Sequence, residues 1–354
     1  MDFEYNFIEA KNLLMELIRI PSVSRDEEIA ADFLQRHIEI KGIESGRMGN
    51  NVWCLSPAFS TEKPTILLNS HIDTVKPVKG WSIDPFCPIE KSGKLYGLGS
   101  NDAGASLVAL FEVFQLLTMK EQTYNLIFLA SCEEEVSGEK GIESVLPHLP
   151  PINFALVGEP TQMQPAIAEK GLMVLDIKAK GKSGHAARNE GVNAIYKAID
   201  DVLWLKNYHF DKVSDLLGEV KMTITQIEAG TQHNVIPDRC SFVVDIRSNG
   251  LYSNEEILKT IQANITANVF ARSTRLNASH LPNDHFFMQR IKEMKLEPFG
   301  SPTLSDQALM NFPSVKIGPG NSARSHTADE YIILSEIADA IPLYYNLLNG
   351  MAIR

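Results

Sequence analysis

The sequence has few cysteines and no cluster of basic residues, and each shortage excludes a class of protein. The four cysteines, Cys54, Cys87, Cys132 and Cys240, are far apart and show no CxxC spacing. This argues against a disulfide framework and against a thiolate zinc knuckle. Lys and Arg number 33 against 44 Asp and Glu, for a net charge of -11, and no basic block that would follow a phosphate backbone occurs. We therefore expect free thiols in a reducing compartment and no nucleic-acid partner.

Long apolar runs are also missing. No stretch approaches the ~18 to 20 apolar residues that a membrane-spanning helix needs. The start, "MDFEYNFIEAKNLL", lacks the basic and apolar regions of a signal peptide. The 354 residues, 44% of them hydrophobic, are nevertheless enough for a large core in about two domains. The sequence thus predicts a globular, cytoplasmic protein without a membrane contact.

The first part of the chain has the pattern of helices alternating with buried strands. Helical apolar spacing predicts a helix that stops at Pro21, and Ser24 with Glu27 has the S-x-x-E spacing of a capping box that would open a second helix. Later apolar runs are of strand length and indicate strands buried on both faces, as in a sheet covered by helices. The runs are 65–69, 125–131 and 154–157, with a long helical stretch at 105–117.

A change of pattern near residue 171 predicts an inserted domain. Partial two-residue alternation indicates an antiparallel sheet with one buried face, and helical segments lie between the strands. After about residue 281 the helical and short-strand patterns of the first part return. We predict an α/β main domain with a mixed, mostly parallel sheet flanked by helices, formed by residues 1–170 and 281–354 and interrupted by an α+β insert, residues 171–280.

Polar residues follow the predicted strands of the main domain. In open α/β sheets, ligands bind just beyond the carboxyl ends of the strands. The residues at these positions are mainly histidines and carboxylates. They are His71 and Asp73 after 65–69, Glu133, Glu134 and Glu135 after 125–131, Glu159 after 154–157, and His326 beyond 314–318, with Asp102 at the Gly-rich entrance to the helix 105–117.

Each of these residues alone has a structural explanation. A histidine after a strand is usually a surface residue, and Asp102 before a helix is most simply an N-cap. Three glutamates directly after a buried strand, however, would bring like charges together, which requires a cation or raised pKa values. Imidazoles and carboxylates without thiolates suit Zn²⁺, or Co²⁺ or Mn²⁺, and two ions that share one carboxylate would use five ligands. The joint placement of these residues therefore favours a metal site.

Seven segments, taken in order, resemble a known family. They are "SHIDTVKPVKGW", "YGLGSNDAGA", "CEEEVSGEKG", "VGEPT", "GKSGHAAR", "NVIPD" and "GPGNSARSHTADEY". Across nearly the whole chain they resemble the dinuclear zinc aminoacylase and peptidase family that includes acetylornithine deacetylase and succinyl-diaminopimelate desuccinylase. The resemblance implies that the main domain is catalytic and that residues 171–280 form a lid and dimerisation domain.

The resemblance also implies roles for the residues after the strands. Glu134 would be the general base, and Asp73 would orient His71 through the second ring nitrogen of the histidine. A cis peptide bond after Asp102 is a further expectation. Two divalent metal ions, zinc first and cobalt or manganese as alternatives, would be held by His71, Asp102 as the bridging ligand, Glu135, Glu159 and His326.

Three residues of the insert are candidates for substrate binding and catalysis. His185 resembles a lid histidine that reaches the active site of the partner subunit in a homodimer. Arg247 is a candidate for a bidentate bond to the α-carboxylate of the substrate, with Asn234 as a polar neighbour. From the residues alone, His185 could equally be a polar hairpin residue and Arg247 a solubilising residue on a strand.

The activity implied by the resemblance is hydrolysis of the amide bond of an N-acyl-L-amino acid. N-acetyl-L-ornithine, cleaved to L-ornithine and acetate in arginine biosynthesis, is the first candidate, and N-succinylornithine, N-acetylcitrulline, succinyl-diaminopimelate and dipeptides are alternatives. Two alternatives of another class are a catalytically silent module that binds a metal or a peptide, and a structural α/β protein. Glu134 together with all five ligands argues against the silent module. The sequence departs from the family in "EEE" where "DEE" is frequent and in "GHAAR", which lacks a small residue plus proline after the histidine.

Overall fold

The computed structural model describes residues 2–57, 59–188 and 190–353, which form two compact units. Unit 1 comprises Met1–Ile167, Leu281–Phe299 and Ser305–Arg354, and unit 2 comprises Ala168–His280 and Gly300–Leu304. Among the described residues, every helix is too short or too polar to span a bilayer.

The helices and strands are numbered in chain order through both units. Helices in the described ranges are α1 (Phe3–Ile18), α2 (Glu28–Ile40), α3 (Ala105–Thr118), α4 (Ile142–Val145), α5 (Ala194–Asn207), α6 (Asn254–Asn264), α7 (Phe286–Glu293) and α8 (Leu334–Leu348). Strands up to the start of unit 2 are β1 (Ser45–Met48), β2 (Asn51–Leu55), β3 (Thr65–His71), β4 (Ile89–Lys91), β5 (Lys94–Tyr96), β6 (Asn125–Ser131), β7 (Phe154–Val157) and β8 (Ala166–Glu169). The later strands are β9 (Met173–Lys180), β10 (Gly184–His185), β11 (Lys221–Ala229), β12 (Val235–Ile236), β13 (Arg239–Arg247), β14 (Asn268–Ala271), β15 (Ser279–His280), β16 (Phe299–Ser301), β17 (Ser314–Lys316) and β18 (Tyr331–Ile333).

The main sheet of unit 1 is mixed and has a parallel centre. Its strands lie in the order β1-β2-β6-β3-β7-β17-β8, and the neighbours among β6, β3, β7 and β17 are parallel. The register places His71 opposite Ser131 and Asn69 opposite Val157. The carboxyl ends of β3, β6 and β7 therefore lie at the same edge of the sheet.

Apolar side chains bury both faces of this sheet. On one face, Phe128 of β6 packs against Phe111 and Phe114 of α3 at ring-centroid distances of 5.1 and 6.3 Å, and α3 packs against α1 and α8. Each such phenylalanine contributes about 1.5–3 kcal/mol through burial. On the other face, Leu67 and Ile127 belong to a core cluster with residues of α4. The prediction of strands buried on both faces is confirmed.

Unit 2 contains an antiparallel sheet with one buried face. Its strands lie in the order β11-β13-β9-β14. Alternate residues of β9 and β13 are buried, and they form one core cluster with apolar residues of α5 and α6. The predicted one-sided antiparallel sheet is confirmed.

The predicted capping box at the start of α2 is wrong. The helix begins at Glu28, and Glu27 at the N-cap position makes no side-chain hydrogen bond to the helix end. The hydroxyl of Ser24 donates instead to Asp73, and the carboxylate of Glu27 accepts the backbone N–H of Glu133. Both side chains are used in tertiary contacts, which local spacing does not reveal.

Candidate metal centre

The carboxyl ends of three parallel strands carry five of the ten predicted site residues. His71 is the last residue of β3 and is buried together with Asp73. Glu134 and Glu135 lie in a short 3₁₀ helix that follows β6, and Glu159 follows β7. The fold therefore brings together residues that are up to 88 positions apart in the sequence, as the strand-end argument predicts.

Asp102 is delivered by an irregular segment just before α3. The peptide bond between Asp102 and Ala103 is cis, as the resemblance implies. The buried carboxylate of Glu330 accepts the backbone N–H groups of Gly99, Asn101 and Asp102 at 3.2, 2.8 and 3.0 Å. Glu330 thus fixes the backbone on which Asp102 is carried.

The carboxylate of Asp102 lies between two histidines. Its Oδ1 is 3.4 Å from Nε2 of His71, and its Oδ2 is 3.6 Å from Nε2 of His326. His326 also faces Glu135, with Nε2 at 3.1 and 2.9 Å from the two carboxylate oxygens. Asp102 does not cap α3, whose N-cap is Gly104. Its two oxygens point to two adjacent groups of donors.

Glu134 and Glu159 complete the cluster on the side of His71. Nε2 of His71 is 3.7 Å from Oε1 of Glu159 and 4.0 Å from Oε2 of Glu134. Donor atoms of His71, Glu134 and Glu159 lie within 4.8 Å of one another, as do those of His71, Asp102 and Glu135. These triads share His71, whereas the resemblance implies that Asp102 is shared. Because one ring nitrogen binds one ion while a carboxylate offers two oxygens, Asp102 would be the better shared ligand.

We call this cluster the metal centre. Its members are His71, Asp102, Glu134, Glu135, Glu159 and His326.

Asp73 supports the metal centre in two ways. Nδ1 of His71 is 2.8 Å from the backbone carbonyl oxygen of Asp73 and 3.6 Å from its carboxylate. The backbone, rather than the predicted side chain, therefore makes the shorter contact with the ring, and Nδ1–H donation leaves Nε2 free to bind a metal. The carboxylate of Asp73 accepts the N–H groups of Glu134 and Glu135 at 3.0 and 3.2 Å and the Ser24 hydroxyl at 2.7 Å.

Burial and crowding raise the pKa of three carboxyls in the metal centre. Burial is the largest cause for each: it raises the pKa of Glu134 well above its usual value, that of Glu135 above it, and that of Glu159 to about 8. Neighbouring carboxylates raise these pKa values further. For Asp102, burial acts in the same direction, but hydrogen bonding to His71 and its charge outweigh it and lower the pKa.

The two imidazoles have raised pKa values. The hydrogen bond to Glu135 raises the pKa of His326 to about 9. Burial would lower the pKa of His71, but hydrogen bonds to Asp102 and Asp73 raise it well above the usual value. Positive charge is thus strongly favoured among these donors. Imidazole nitrogens and hard carboxylate oxygens, crowded in this way with His326 on the exposed side, fit a site for two divalent cations.

The three remaining predicted residues lie in unit 2. His185 is exposed on β10, and the backbone carbonyl of Asn234 accepts the N–H of Ala186 at 3.0 Å. His185 and Asn234 are therefore neighbours on a two-stranded ribbon. Arg247 ends β13 and donates two hydrogen bonds to Asp245 in the same strand, at 2.8 and 3.0 Å.

Three residues that support the metal centre were not predicted as site residues. They are Ser24, Glu330 and Asp306. The buried carboxylate of Asp306 accepts the Ser131 hydroxyl at 2.6 Å. Burial raises the pKa of Asp306 to about 6. Glu330 stands four residues after His326 in "HTADEY", which was the available signal. Its role depends on contacts with residues more than two hundred positions away, so the motif alone could not reveal it.

Sequence comparisons agree with the geometry of the metal centre. Residues 67–350 match the model of the peptidase family M20/M25/M40. An acetylornithine deacetylase of Proteus mirabilis is 27% identical, over 98% of this chain and 97% of that protein. A succinyl-diaminopimelate desuccinylase of Xylella fastidiosa is 26% identical, over 96% of this chain and 97% of that protein.

Solved structures share the fold over nearly the whole chain. An aminopeptidase of Bacillus cereus superposes with a TM-score of 0.77 at 19% identity and covers 98% of both chains. A dinuclear metal-binding peptidase of the M20 family from Bacillus subtilis has a TM-score of 0.72 at 17% identity, with 98% of both chains covered. The protein is thus an enzyme, a metallo-hydrolase that acts on amide or peptide bonds. The predicted resemblance is confirmed, and the chain belongs to the peptidase family M20/M25/M40.

Proposed function

We propose that the protein hydrolyses N-acetyl-L-ornithine to L-ornithine and acetate, a step of arginine biosynthesis. The observation that carries the proposal is the placement of Asp102 between His71 and His326, 3.4 and 3.6 Å away, with three glutamates at the adjacent strand ends. The name of the Proteus mirabilis relative supports the substrate. Glu134 is proposed as a carboxylate that lies beside the metal ligands without binding the metal. A module that only binds a metal or a peptide would not need such a carboxylate.

Two zinc ions would suit the donor set, with Co²⁺ or Mn²⁺ as substitutes. His71, Asp102 and Glu159 would hold one ion, and His326, Asp102 and Glu135 would hold the other. When bound, such ions lower the pKa of a coordinated water to about 7 and polarise the carbonyl of the scissile amide.

Glu134 is proposed as the general base and acid. Its carboxylate is 4.0 Å from Nε2 of His71, and its backbone N–H is held by Asp73. It would take a proton from the water that attacks the amide carbon and return it to the amine nitrogen as the carbon–nitrogen bond breaks. Acetate and the free amine are the products. Burial raises the pKa of Glu134, which is the direction that a carboxylate needs to act as a proton carrier.

Arg247 and Asn234 are proposed to bind the α-carboxylate of the substrate. Arg247 uses Nε and one terminal nitrogen for Asp245. A guanidinium has five N–H donors in all, so donors remain for a second carboxylate. Asp245 would then hold the guanidinium plane in a fixed orientation.

Unit 2 is proposed as a lid and dimerisation domain, and unit 1 as the catalytic domain. On α5, Tyr196, Ile199 and Leu203 are exposed at 69%, 45% and 48% and share one helix face, since they are three and seven residues apart. The adjacent β11 is the last strand at one end of its sheet within the described residues. An apolar helix face beside a sheet edge favours a homodimer.

The dimer has a direct test in solution. Leu203→Glu should convert a dimer into a monomer when molar mass is measured by light scattering, because it places a charge in the apolar face. Ile40→Glu, at an 84% exposed position of unit 1, is the matched control and should remain dimeric. A wild-type monomer at micromolar concentration would contradict the proposal.

His185 is proposed to act in the active site of the partner subunit. An inactive His185→Ala subunit mixed with an inactive Glu134→Gln subunit should then recover activity, because one of the two composite sites would be intact. No recovery under conditions shown to exchange subunits would refute action across the dimer.

A succinylated substrate is the second candidate. It is favoured by the desuccinylase of Xylella fastidiosa, which matches nearly the whole chain. N-succinylornithine, N-acetylcitrulline and dipeptides would use the same chemistry with a different side-chain or acyl site.

A cytoplasmic location is part of the proposal, and it is supported by free thiols at Cys54, Cys132 and Cys240, all buried.

The proposal is tested by amine release from N-acetyl-L-ornithine, N-succinyl-L-ornithine and succinyl-diaminopimelate, assayed side by side with the zinc- and cobalt-loaded enzyme. Preference for the acetyl compound would support the deacetylase. Preference for a succinyl compound would keep the mechanism and change the substrate. Absence of amine release from all these compounds, from N-acetylcitrulline and from dipeptides would refute the proposed function. Glu134→Gln serves as the matched inactive protein for background release.

A further inference from the structure

Glu27 is a fully buried carboxylate in a short segment before α2, and one of its partners, Glu133, adjoins the metal centre. It accepts the backbone N–H of Glu133 at 3.1 Å, the side-chain amide of Asn50 at 2.9 Å and the N–H of Arg25 at 2.6 Å. A buried carboxylate is costly unless its oxygens are bonded. Three donors satisfy it here, and one of them belongs to the residue directly before Glu134.

Glu133 has a backbone conformation that needs outside support. Its φ and ψ are 54° and 21°, in the left-handed region. A residue with a side chain persists there only when its surroundings fix it. The hydrogen bond to Glu27 is such a constraint, because it fixes the direction of the Glu133 N–H.

Ser24 is connected to the same loop through Asp73. Its hydroxyl donates to Oδ2 of Asp73 at 2.7 Å, and the Asp73 carboxylate accepts the N–H groups of Glu134 and Glu135. Three consecutive backbone N–H groups, from Glu133 to Glu135, are therefore held by two carboxylates. The Ser24–Glu27 segment supplies one of these carboxylates and fixes the other.

We infer that Ser24 and Glu27 are positioning residues of the hydrolase. They hold the loop that carries the base Glu134 and the ligand Glu135. Glu27 holds it by a direct hydrogen bond to Glu133, and Ser24 holds it through Asp73. The inference rests on the proposed function, since it gives Glu134 and Glu135 their roles. The S-x-x-E spacing of Ser24 and Glu27 alone predicts only the start of a helix. In this protein the two side chains support catalysis instead.

A second S-x-x-E segment shows what the same spacing does elsewhere. Ahead of α6, the Ser253 hydroxyl accepts the N–H of Glu256 at 3.2 Å, and the Glu256 carboxylate accepts the N–H of Ser253 at 2.8 Å. This is a complete capping box. Ser24 and Glu27 have the same spacing but make neither bond to α2, because their side chains are committed to the loop at the metal centre.

The test compares Glu27→Ala with Glu27→Gln. Alanine removes the acceptor for Glu133, and we expect a roughly 10- to 100-fold weaker affinity for Co²⁺ together with a similar fall in kcat at nearly unchanged KM. Glutamine keeps one oxygen for Glu133, and its amide nitrogen can donate to the side-chain oxygen of Asn50 once the Asn50 amide turns around, so it should restore most of both. Ser24→Ala should cause a smaller loss of kcat, because Asp73 keeps its two bonds to the loop.

Two control variants separate positioning from general stability. Asp201 is a buried carboxylate in unit 2 that accepts the N–H groups of Thr266 and Ala267 at 2.8 and 3.0 Å, so Asp201→Ala removes similar bonds elsewhere. Glu256→Ala removes the true capping box. Both should lower the melting temperature and leave Co²⁺ affinity and kcat unchanged.

Each outcome decides for or against the inference. Equal Co²⁺ affinity and kcat in wild type, Glu27→Ala and Asp201→Ala would overturn it, as would failure of Glu27→Gln to restore either quantity. If Glu27→Ala does not fold, Glu27→Gln and Ser24→Ala carry the comparison, and Ser24→Ala with unchanged kcat and affinity would then overturn the inference. If the wild type binds metal but hydrolyses none of the substrates, the proposed function fails, while the Co²⁺ titration still tests the positioning role.

Discussion

Two sheet carboxylates of unit 2 and the carboxylates of the metal centre in unit 1 are neutralised in opposite ways. In unit 2, Asp176 receives two hydrogen bonds from Arg272 at 2.9 and 3.0 Å, and Asp245 is paired with Arg247 in the same bidentate manner. In unit 1, the carboxylates of the metal centre face two histidines and one another, and most of them are shielded from solvent. The charges of Asp176 and Asp245 are balanced within their own sheet, whereas the metal centre is arranged to receive cations.

The pKa values express the same difference. Arg272 lowers the pKa of Asp176, while burial and neighbouring carboxylates raise the pKa of Glu159 to about 8. The pKa of a carboxyl group is thus lowered by one set of surroundings and raised by the other. Local charge balance stabilises a sheet surface, and local imbalance in a buried cluster creates a binding site.

Removal of metal should produce the largest effect. We expect exhaustive chelation to abolish amine release and to lower the melting temperature, because ions that bind only the folded state stabilise it by about 2.7 kcal/mol at a hundred times their Kd. Turnover assays and thermal melts before chelation, after it and after addition of Zn²⁺ measure this. Undiminished turnover in protein shown to be free of metal would break the comparison between the units.

Glu134→Gln should have the next largest effect. The amide keeps the size of the side chain but cannot carry the proton, so kcat should fall by about 10²- to 10⁴-fold. Metal content by elemental analysis should stay at the wild-type level, since Glu134 is proposed as the base and not as a ligand. Loss of an ion from this variant would reassign Glu134 as a ligand.

Arg247→Ala tests whether an arginine already paired in unit 2 also binds substrate. We expect kcat/KM to fall roughly 10- to 100-fold, since hydrogen bonds to charged groups contribute about 1.5–3 kcal/mol. Arg272→Ala removes the same type of bidentate pair from the same sheet and is the matched control. Equal kcat/KM in both variants would leave Arg247 as a structural residue only.

The smallest effect concerns the pair of Asp176 and Arg272. Because the folded-state pKa of Asp176 is lowered, its stabilisation is present above the unfolded pKa of about 3.9 and is lost as the pH falls through the folded value. The pair is exposed, so it should contribute less than about 1 kcal/mol. In acid titrations followed by circular dichroism, Arg272→Ala should unfold with a weaker pH dependence below about pH 4. An unchanged acid transition would show that the pair of Asp176 and Arg272 contributes nothing to the free energy of unfolding.

The sequence predicted the elements whose signal is local. The short apolar runs 65–69, 125–131 and 154–157 became β3, β6 and β7, because burial on both faces leaves a continuous apolar run. The alternation in β9 and β13 predicted a one-sided sheet for the same kind of reason. Since parallel strands end at a common edge, the residues after them could be expected to meet, and His71, Glu134 and Glu159 do so.

The sequence failed where a polar side chain has both a local and a distant partner available. Ser24 with Glu27 and Ser253 with Glu256 have identical spacing, but only the second pair forms a capping box. Glu27 bonds the N–H of Glu133, 106 positions away, and this partner exists only after β6 has been placed. Pairings of this kind are decided by tertiary structure, which spacing rules do not contain.

We propose that the metal centre binds two divalent cations and that Asp102 is the shared ligand. The number of Co²⁺ ions bound per chain, by titration of the metal-free protein and of Asp102→Ala, measures this. We expect two ions for the wild type and a strongly weakened affinity for both in the variant, because one side chain serves both sites. Fewer than two ions in the wild type, or a variant that loses only one, would contradict it.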